Sequence, residues 1–88
     1  MLSQKSRYTI RALQHLADIY PDGLAQMAEI ASAQNIPPKF LTVILSELNR
    51  DGIVISQRGR VGGYRLGVAP IDIRYGDIIR ITRGSRAL

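Results

Sequence analysis

The chain has 88 residues, of which 45% are hydrophobic, and this is enough for one small domain. Twelve Lys and Arg residues against seven Asp and Glu residues give a net charge of +5, which favours a polyanionic partner such as nucleic acid or an acidic membrane surface; the alternative is an ordinary soluble basic protein. Because the sequence contains no cysteine, a disulfide framework and a cysteine-bound metal or iron–sulfur cluster are excluded for the printed residues.

The first predicted element is an amphipathic helix over residues 3–20. This stretch contains no Gly or Pro, and its apolar residues recur at helical spacing. Ser3 and Ser6 are both candidates for the N-cap. The unpaired backbone N–H groups of a helix N-terminus attract phosphate, so Ser3, Lys5 and Arg7 are predicted to contact DNA phosphates.

Two shorter helices are predicted next, over residues 26–34 and 38–50. Asn35 is expected to end the first of them in a left-handed conformation, and Pro38 suits the first position of the other because its missing N–H would have been unpaired there. Gly52 is expected to follow the end of the later helix. Its apolar stripe is predicted to be buried and consists of Phe40, Leu41, Ile44, Leu45 and Leu48.

The opposite face of the helix over residues 38–50 is predicted to read DNA. Two helices joined by a tight turn and followed by a hairpin have the order of a winged helix-turn-helix, whose second helix enters the major groove. Lys39 suits a phosphate or a guanine edge, Thr42 offers a hydroxyl or a methyl group, and Val43 suits a thymine methyl. Each position alone is equally well explained as a solvated helix position. The predicted DNA-binding set on this helix is Pro38, Lys39, Thr42, Val43 and Ser46.

A β-hairpin, the wing, is predicted over residues 53–67. Arg58 and Arg60 flank Gly59 at its tip, which suits one arginine on a phosphate and the other in a narrow minor groove. The glycines would let the tip approach another surface closely. The alternative is a flexible surface turn with solvated charge. The predicted DNA-binding residues of the wing are Arg58, Gly59, Arg60, Gly62 and Gly63.

A fourth helix is predicted over residues 75–83, with Gly84 at its end. Its apolar positions are too many for one stripe, so part of it is expected to pack against a further segment or a second subunit.

Tyr64 is predicted to pack in the core rather than to stack on a base. His15 has no second ligand at metal-binding spacing, so no metal site is expected. No nucleophile or phosphate-binding loop is recognisable, and the chain is predicted not to be an enzyme.

Together these elements predict a mainly α fold with a small β-hairpin, forming a single winged helix-turn-helix domain over residues 1–88. Several segments form a pattern that is informative as a set: Leu2-Ser3-Gln4-Lys5-Ser6-Arg7-Tyr8, Arg11-Ala12-Leu13, Ala28-Glu29-Ile30-Ala31, Phe40-Leu41, Gly52-Ile53-Val54 and Arg58-Gly59-Arg60-Val61-Gly62-Gly63-Tyr64-Arg65-Leu66. These segments resemble the IscR, NsrR and CymR family of bacterial winged-helix regulators, also called the Rrf-two family. The most specific part is the wing, where arginine and glycine precede Gly-Gly-Tyr-x-Leu.

This resemblance implies a sequence-specific DNA-binding transcriptional regulator that acts as a repressor, as a homodimer on palindromic promoter DNA. Many members of the family hold an iron–sulfur cluster through three cysteines beyond the winged domain, where a long dimerisation helix also lies. The chain is therefore expected to be the N-terminal part of a regulator or an unusually short member. It is expected to hold no cofactor, and a cluster is expected only if cysteines follow Leu88.

The chain also departs from the family pattern. Thr42 and Val43 stand where cluster-binding relatives often carry Glu and Gln that read bases, so the operator preference does not transfer. Arg60 and Val61 replace a common Pro-Gly pair, which adds charge to the wing. Ala25 stands where relatives often have a Ser or Thr cap, and losing such a cap typically costs ~1 kcal/mol.

The main alternative function is a winged-helix module for protein–protein interaction. In this alternative, Val43 and the last helix bind another protein, and the basic charge is incidental.

No apolar run approaches the ~20 residues that span a bilayer, and the N-terminus lacks the features of a signal peptide. The sequence therefore predicts a cytoplasmic protein without membrane contact. Its expected partners are double-stranded DNA and, as the resemblance implies, a second copy of the chain.

Overall fold

The computed structural model describes residues 3–84, which form four α-helices and a two-stranded antiparallel hairpin. This confirms the predicted mainly α fold with a small β-hairpin. Each predicted helix limit lies within two residues of the observed one. In chain order the elements are α1 (Gln4–Asp18), α2 (Met27–Gln34), α3 (Pro38–Arg50), β1 (Val54–Gln57), β2 (Gly63–Leu66), a 3-10 turn (Pro70–Asp72) and α4 (Tyr75–Gly84).

Local signals at the helix ends explain these limits. The Ser3 Oγ accepts a hydrogen bond from the Ser6 backbone N–H at 3.1 Å, which confirms Ser3 as the N-cap of α1. Asn35 ends α2 with φ 56°, and Gly52 follows α3 with φ 79°, both in the left-handed region as predicted. The helix α1 ends at Asp18, two residues before the predicted limit. Pro21 disfavours helical geometry at Tyr20, the residue before it, so the helix cannot extend to the predicted end.

The interpretation of Ala25 as the N-cap position of α2 is wrong. The N-cap of α2 is Gln26, which makes no side-chain capping hydrogen bond. Ala25 is fully buried, and its backbone pairs with Tyr64 of β2 through hydrogen bonds of 3.0 and 2.8 Å. Ala25 therefore connects the wing to the helices, and its small side chain suits a position where two backbone segments meet.

The hydrophobic core lies between the four helices and one face of the hairpin. The predicted stripe of α3 is confirmed at four positions but is wrong at Phe40, which is 51% exposed. Phe40 lies at the edge of the stripe that faces α1, where its ring stacks on Tyr8 instead of entering the core. Tyr64 packs against the core, as predicted. The buried apolar residues include Leu13, Leu16, Ile30, Leu41, Ile44, Leu45, Leu48, Val54, Leu66, Ile78 and Ile81.

The first helix is the element around which the others are arranged, since α1 contacts α2, α3, α4 and β2. At its start, the buried Ser6 hydroxyl lies 3.0 Å from the Thr82 hydroxyl of α4. Two isoleucines of α4, Ile78 and Ile81, are buried, whereas Tyr75 is 58% exposed. The position of α4 is thus fixed by α1, and its predicted contact with a further segment or subunit stays a prediction.

Candidate nucleic-acid interface

The predicted reading face of α3 is exposed along its whole length. Pro38 occupies the first turn, and Lys39, Thr42, Val43 and Ser46 are all exposed, with Val43 at 50%. This face exists because the four core positions of α3 lie on the opposite side of the same helix. A helix that is anchored on one side and exposed on the other has the form that a major groove accepts.

Thr42 has a more restricted role than its sequence position suggests. Its hydroxyl donates to the Pro38 carbonyl oxygen at 2.9 Å and approaches the Met27 sulfur of α2 at 3.1 Å. The hydroxyl hydrogen is therefore used within the protein. What Thr42 presents outward is its methyl group and the lone pairs of its oxygen, which suit a thymine methyl or an amino group on a base edge.

The tip of the wing carries two exposed arginines. Arg58 and Arg60 lie on either side of Gly59, whose φ of 120° is in a region that other residues rarely adopt. Within residues 3–84, neither arginine is in an ion pair, and the tip makes no hydrogen bond to α1 or α3. Both guanidinium groups are thus available to an external anion.

The other two glycines of the predicted DNA-binding set, Gly62 and Gly63, have a structural reason for their identity. A Cβ at Gly63 would lie 2.8 Å from the Ala25 carbonyl oxygen, so a side chain there would push the wing away from the helices. A Cβ at Gly62 would overlap the Gln57 carbonyl oxygen. Gly62 and Gly63 therefore close the hairpin and attach it to the fold, and their proposed approach to DNA stays a prediction.

The start of α1 lies beside α3, but its three predicted phosphate contacts differ in what they already bind. Ser3 caps the helix and also donates from its Oγ to the Ser6 Oγ at 3.0 Å. Lys5 forms a salt bridge with Glu47 of α3, with Nζ to carboxylate distances of 2.9 and 3.1 Å. Arg7 is exposed, and no ion pair is formed by it in the described part of the chain. Of the three, Arg7 offers the most available charge.

A cluster of side chains beside α3 was not predicted from the sequence. The rings of Tyr8 and Phe40 stack with their centroids 6.1 Å apart and an angle of 24° between their planes. The Arg11 guanidinium lies 5.1 Å from the centre of the Tyr8 ring, and the Gln4 amide donates to the Tyr8 hydroxyl at 2.9 Å. The spacing of Gln4, Tyr8 and Arg11 along one helix face is the sequence signal for this cluster, but it does not reveal that Phe40 completes it.

The structure thus brings two of the three predicted DNA-contact groups into direct contact. The N-terminal turn of α1 joins α3 through the Lys5–Glu47 salt bridge and the Tyr8–Phe40 stack. The wing is attached separately, through Ala25 and Tyr64. No helix within residues 3–84 is long and apolar enough to cross a membrane.

The chain is similar to transcriptional regulators over nearly its whole length. The sequence profile of the Rrf2 (Rrf-two) family, described as an iron-dependent transcriptional regulator, matches residues 2–88. The HTH-type transcriptional regulator CymR of Bacillus subtilis is 37% identical over 83 residues, which are 94% of this chain and 60% of CymR. The HTH-type transcriptional regulator IscR of Aliivibrio salmonicida is 37% identical over 78 residues, which are 89% of this chain and 46% of IscR. These relatives are named as regulators and not as enzymes, which confirms the prediction that the chain is not an enzyme.

The fold is similar to solved structures of the same group. The structure of CymR, the global cysteine regulator of B. subtilis, superposes with a TM-score of 0.88 at 37% identity, over 96% of this chain and 65% of CymR. The IscR of T. potens gives a TM-score of 0.89 at 35% identity, over 100% of this chain and 64% of that protein. These neighbours confirm the winged helix-turn-helix fold. The chain spans about half the length of the curated relatives it matches.

The iron in the family description does not fit the residues of this chain. The 88 residues contain no cysteine. Residues 3–84 bring together no group of three or more His, Asp or Glu side chains that could hold a metal ion. The single histidine, His15, instead lies near Glu29 and Gln34 of α2, with its Nε2 3.7 Å from the Glu29 carboxylate. The described residues therefore offer iron no set of ligands.

Proposed function

Because this chain belongs to the Rrf2 family of transcriptional regulators, we propose that it binds double-stranded DNA sequence-specifically and represses transcription as a homodimer on a palindromic promoter site. The observation that carries this proposal is the exposed face of α3, which follows a short turn after α2 and is bordered by the basic start of α1. The proposed setting is the cytoplasm of a bacterium.

The proposed base contacts come from the outer face of α3. Lys39 is available to a guanine edge or a phosphate, and Ser46 to a base edge further along the groove. Thr42 and Val43 present methyl groups, so thymine methyl groups are the main proposed readout at these two positions, and the Thr42 oxygen can also accept a hydrogen bond from a base amino group. Pro38 contributes its position at the start of the helix, where it holds the first turn against the DNA backbone.

The proposed backbone contacts come from α1 and the wing. Arg7, Arg58 and Arg60 are exposed cations without an ion-pair partner in the described residues, and they suit phosphates or the narrow minor groove. Such contacts fix the register of a helix on the duplex but do not read the sequence. In a homodimer the two copies of α3 would lie about 34 Å apart, or a multiple of this, so that each occupies one half-site.

Binding at several salt concentrations tests the proposal. A labelled random duplex and a duplex enriched from a random pool are titrated with the protein, and the dissociation constants are measured by fluorescence anisotropy. We expect the enriched duplex to bind more tightly, and log K to fall with log salt with a slope of about −0.9 per phosphate contacted. If neither duplex binds at low salt, the DNA-binding function is wrong, and the alternative of a protein-interaction module is favoured.

The contribution of the wing is tested by Arg60→Ala. This variant is expected to weaken binding by about tenfold, the effect of one charge-assisted hydrogen bond, and to reduce the salt slope by about 0.9. The matched control is Arg80→Ala, which removes the same charge from α4, where Arg80 pairs with Asp77. Equal effects of the two variants would mean that only net charge matters and that the wing has no specific contact.

A further inference from the structure

A shallow groove separates the start of α1 from the outer face of α3. Its volume is about 250 Å³, and we call it the Tyr8–Phe40 groove. Two of its apolar side chains are strongly exposed, since Phe40 is 51% and Val43 50% accessible. The groove is lined by Gln4, Lys5, Tyr8, Phe40, Val43 and Ile44.

The groove combines an apolar floor on α3 with a hydrogen-bonding rim on α1. The floor consists of Phe40, Val43 and Ile44, whereas Gln4, Lys5 and Tyr8 line the α1 side. Lys5 is already paired with Glu47, so the rim offers hydrogen-bonding groups more than free charge. An occupant that fits both parts must present an apolar group to α3 and a hydrogen-bond acceptor to α1.

The Tyr8 hydroxyl is arranged to bind such an acceptor. It accepts a hydrogen bond from the Gln4 amide at 2.9 Å, and within residues 3–84 its own hydrogen has no acceptor. That hydrogen is therefore available for a phosphate oxygen. The Arg11 guanidinium, 5.1 Å from the centre of the Tyr8 ring, adds a positive charge beside the same residue, which favours an anionic acceptor such as phosphate.

We propose that the Tyr8–Phe40 groove takes one thymine nucleotide of the bound DNA, with its 5-methyl group against Val43 and Phe40 and its phosphate on the Tyr8 hydroxyl. This inference rests on the proposed function and adds a specificity-determining contact to it. A thymine nucleotide carries both an apolar methyl group for the floor and a phosphate acceptor for the Tyr8 hydroxyl. The groove is also continuous with the proposed reading face, because Val43 belongs to both.

Replacing thymine with uracil tests the methyl contact, because uracil lacks only that methyl group. A duplex enriched from a random pool is synthesised with each thymine replaced in turn, and the dissociation constants are measured by fluorescence anisotropy. We expect one replacement in each half-site to weaken binding about fourfold, the effect of one buried methyl group. Val43→Ala is expected to bind the thymine and uracil duplexes within a factor of two of each other.

Control variants separate this contact from general loss of fold or of hydrophobic surface. Ile71→Ala removes a side chain that is 91% exposed on the 3-10 turn, and it is expected to keep the full preference for thymine. Tyr8→Phe is expected to weaken the thymine and uracil duplexes by the same factor, because it removes only the phosphate contact. Thermal unfolding monitored by circular dichroism verifies that each variant is folded.

Two outcomes would overturn the inference while the proposed function stands. The first is tight binding of the enriched duplex with no sensitivity to uracil at any position. The second is a change in sedimentation of Phe40→Ala without a change in the thymine preference, which would make the groove a contact between two copies of the chain. Absence of binding to any duplex would instead remove the proposed function itself, and the inference with it.

Discussion

The recognition helix α3 and the wing are both proposed to contact DNA, but they are held in the fold by different forces. Four side chains of α3 are buried in the core, and its Glu47 pairs with Lys5 of α1. The hairpin forms only four residue pairs between its strands, and its attachment to the helices includes backbone hydrogen bonds between Ala25 and Tyr64. The orientation of α3 is thus set by side-chain packing, whereas the wing is held by main-chain contacts together with the buried side chains of Val54 and Leu66.

This difference suits the two proposed tasks. Reading a base edge requires a side chain to be placed within a narrow range of positions, which a helix anchored in a close-packed core provides. A contact with phosphate or with the minor groove requires charge more than exact placement, and two arginines on an exposed tip provide that. Substitutions in the two regions should therefore affect the stability of the protein in different ways.

The largest expected effect is that of Leu45→Ala in α3. Leu45 is fully buried, so the free energy of unfolding should fall by about 2–5 kcal/mol through lost burial and a cavity. Urea denaturation monitored by circular dichroism measures this loss. Val43→Ala on the exposed side of the same helix is the control and should change stability by less than about 0.5 kcal/mol. Similar losses for both variants would contradict anchoring of α3 by one face.

A smaller effect is expected for Gly63→Ala in the wing. The added Cβ would lie 2.8 Å from the Ala25 carbonyl oxygen, and the φ of 156° disfavours alanine, so the loss should be about 1–3 kcal/mol. Hydrogen exchange should show faster exchange of the Ala25 and Tyr64 amides, with α3 unaffected.

The control for Gly63→Ala is Gly76→Ala. A Cβ at Gly76 meets nothing within 4 Å, and the position is helical, so this variant should be neutral or stabilised by up to about 1 kcal/mol. If alanine is tolerated equally well at both glycines, the wing is not held by close contact with Ala25.

The smallest effect is expected for the salt bridge between Lys5 and Glu47. The Lys5 side chain is 35% and the Glu47 side chain 14% exposed, so a double-mutant cycle with Lys5→Met and Glu47→Gln should give a coupling of about 0.5–1 kcal/mol. The coupling should decrease at about 1 M salt, where charges are screened within about 3 Å. Additive effects of the two substitutions would mean that the pair does not hold α1 to α3.

Much of the local structure was predictable from the sequence. Ser3, Asn35, Pro38 and Gly52 were each predicted at a helix end and are found there, because capping depends on a residue and its immediate neighbours in the chain. The glycines and arginines of the wing likewise identified the hairpin, whose pairing joins residues close in sequence. Periodicity identified the buried face of α3 at four of five positions.

The wrong predictions for Phe40 and Ala25 concern contacts between elements that are distant in sequence. Phe40 was predicted to be buried because it lies next to the stripe of α3, but whether an edge position is covered depends on which residue the neighbouring helix places there. Ala25 was interpreted as a lost cap, but its role is to pair with a strand that lies about forty residues later.

The sequence by itself determined the element order, most of the helix ends and the family of this protein, since each of these depends on short patterns of caps, periodicity and turn residues. Only the tertiary structure decided that Lys5 is paired with Glu47, that Thr42 uses its hydroxyl hydrogen within the protein, and that Tyr8 and Phe40 border a groove beside Val43. The physical reason is that a side chain becomes available for function, or is used within the fold, through partners brought to it by packing, and a linear pattern does not contain those partners.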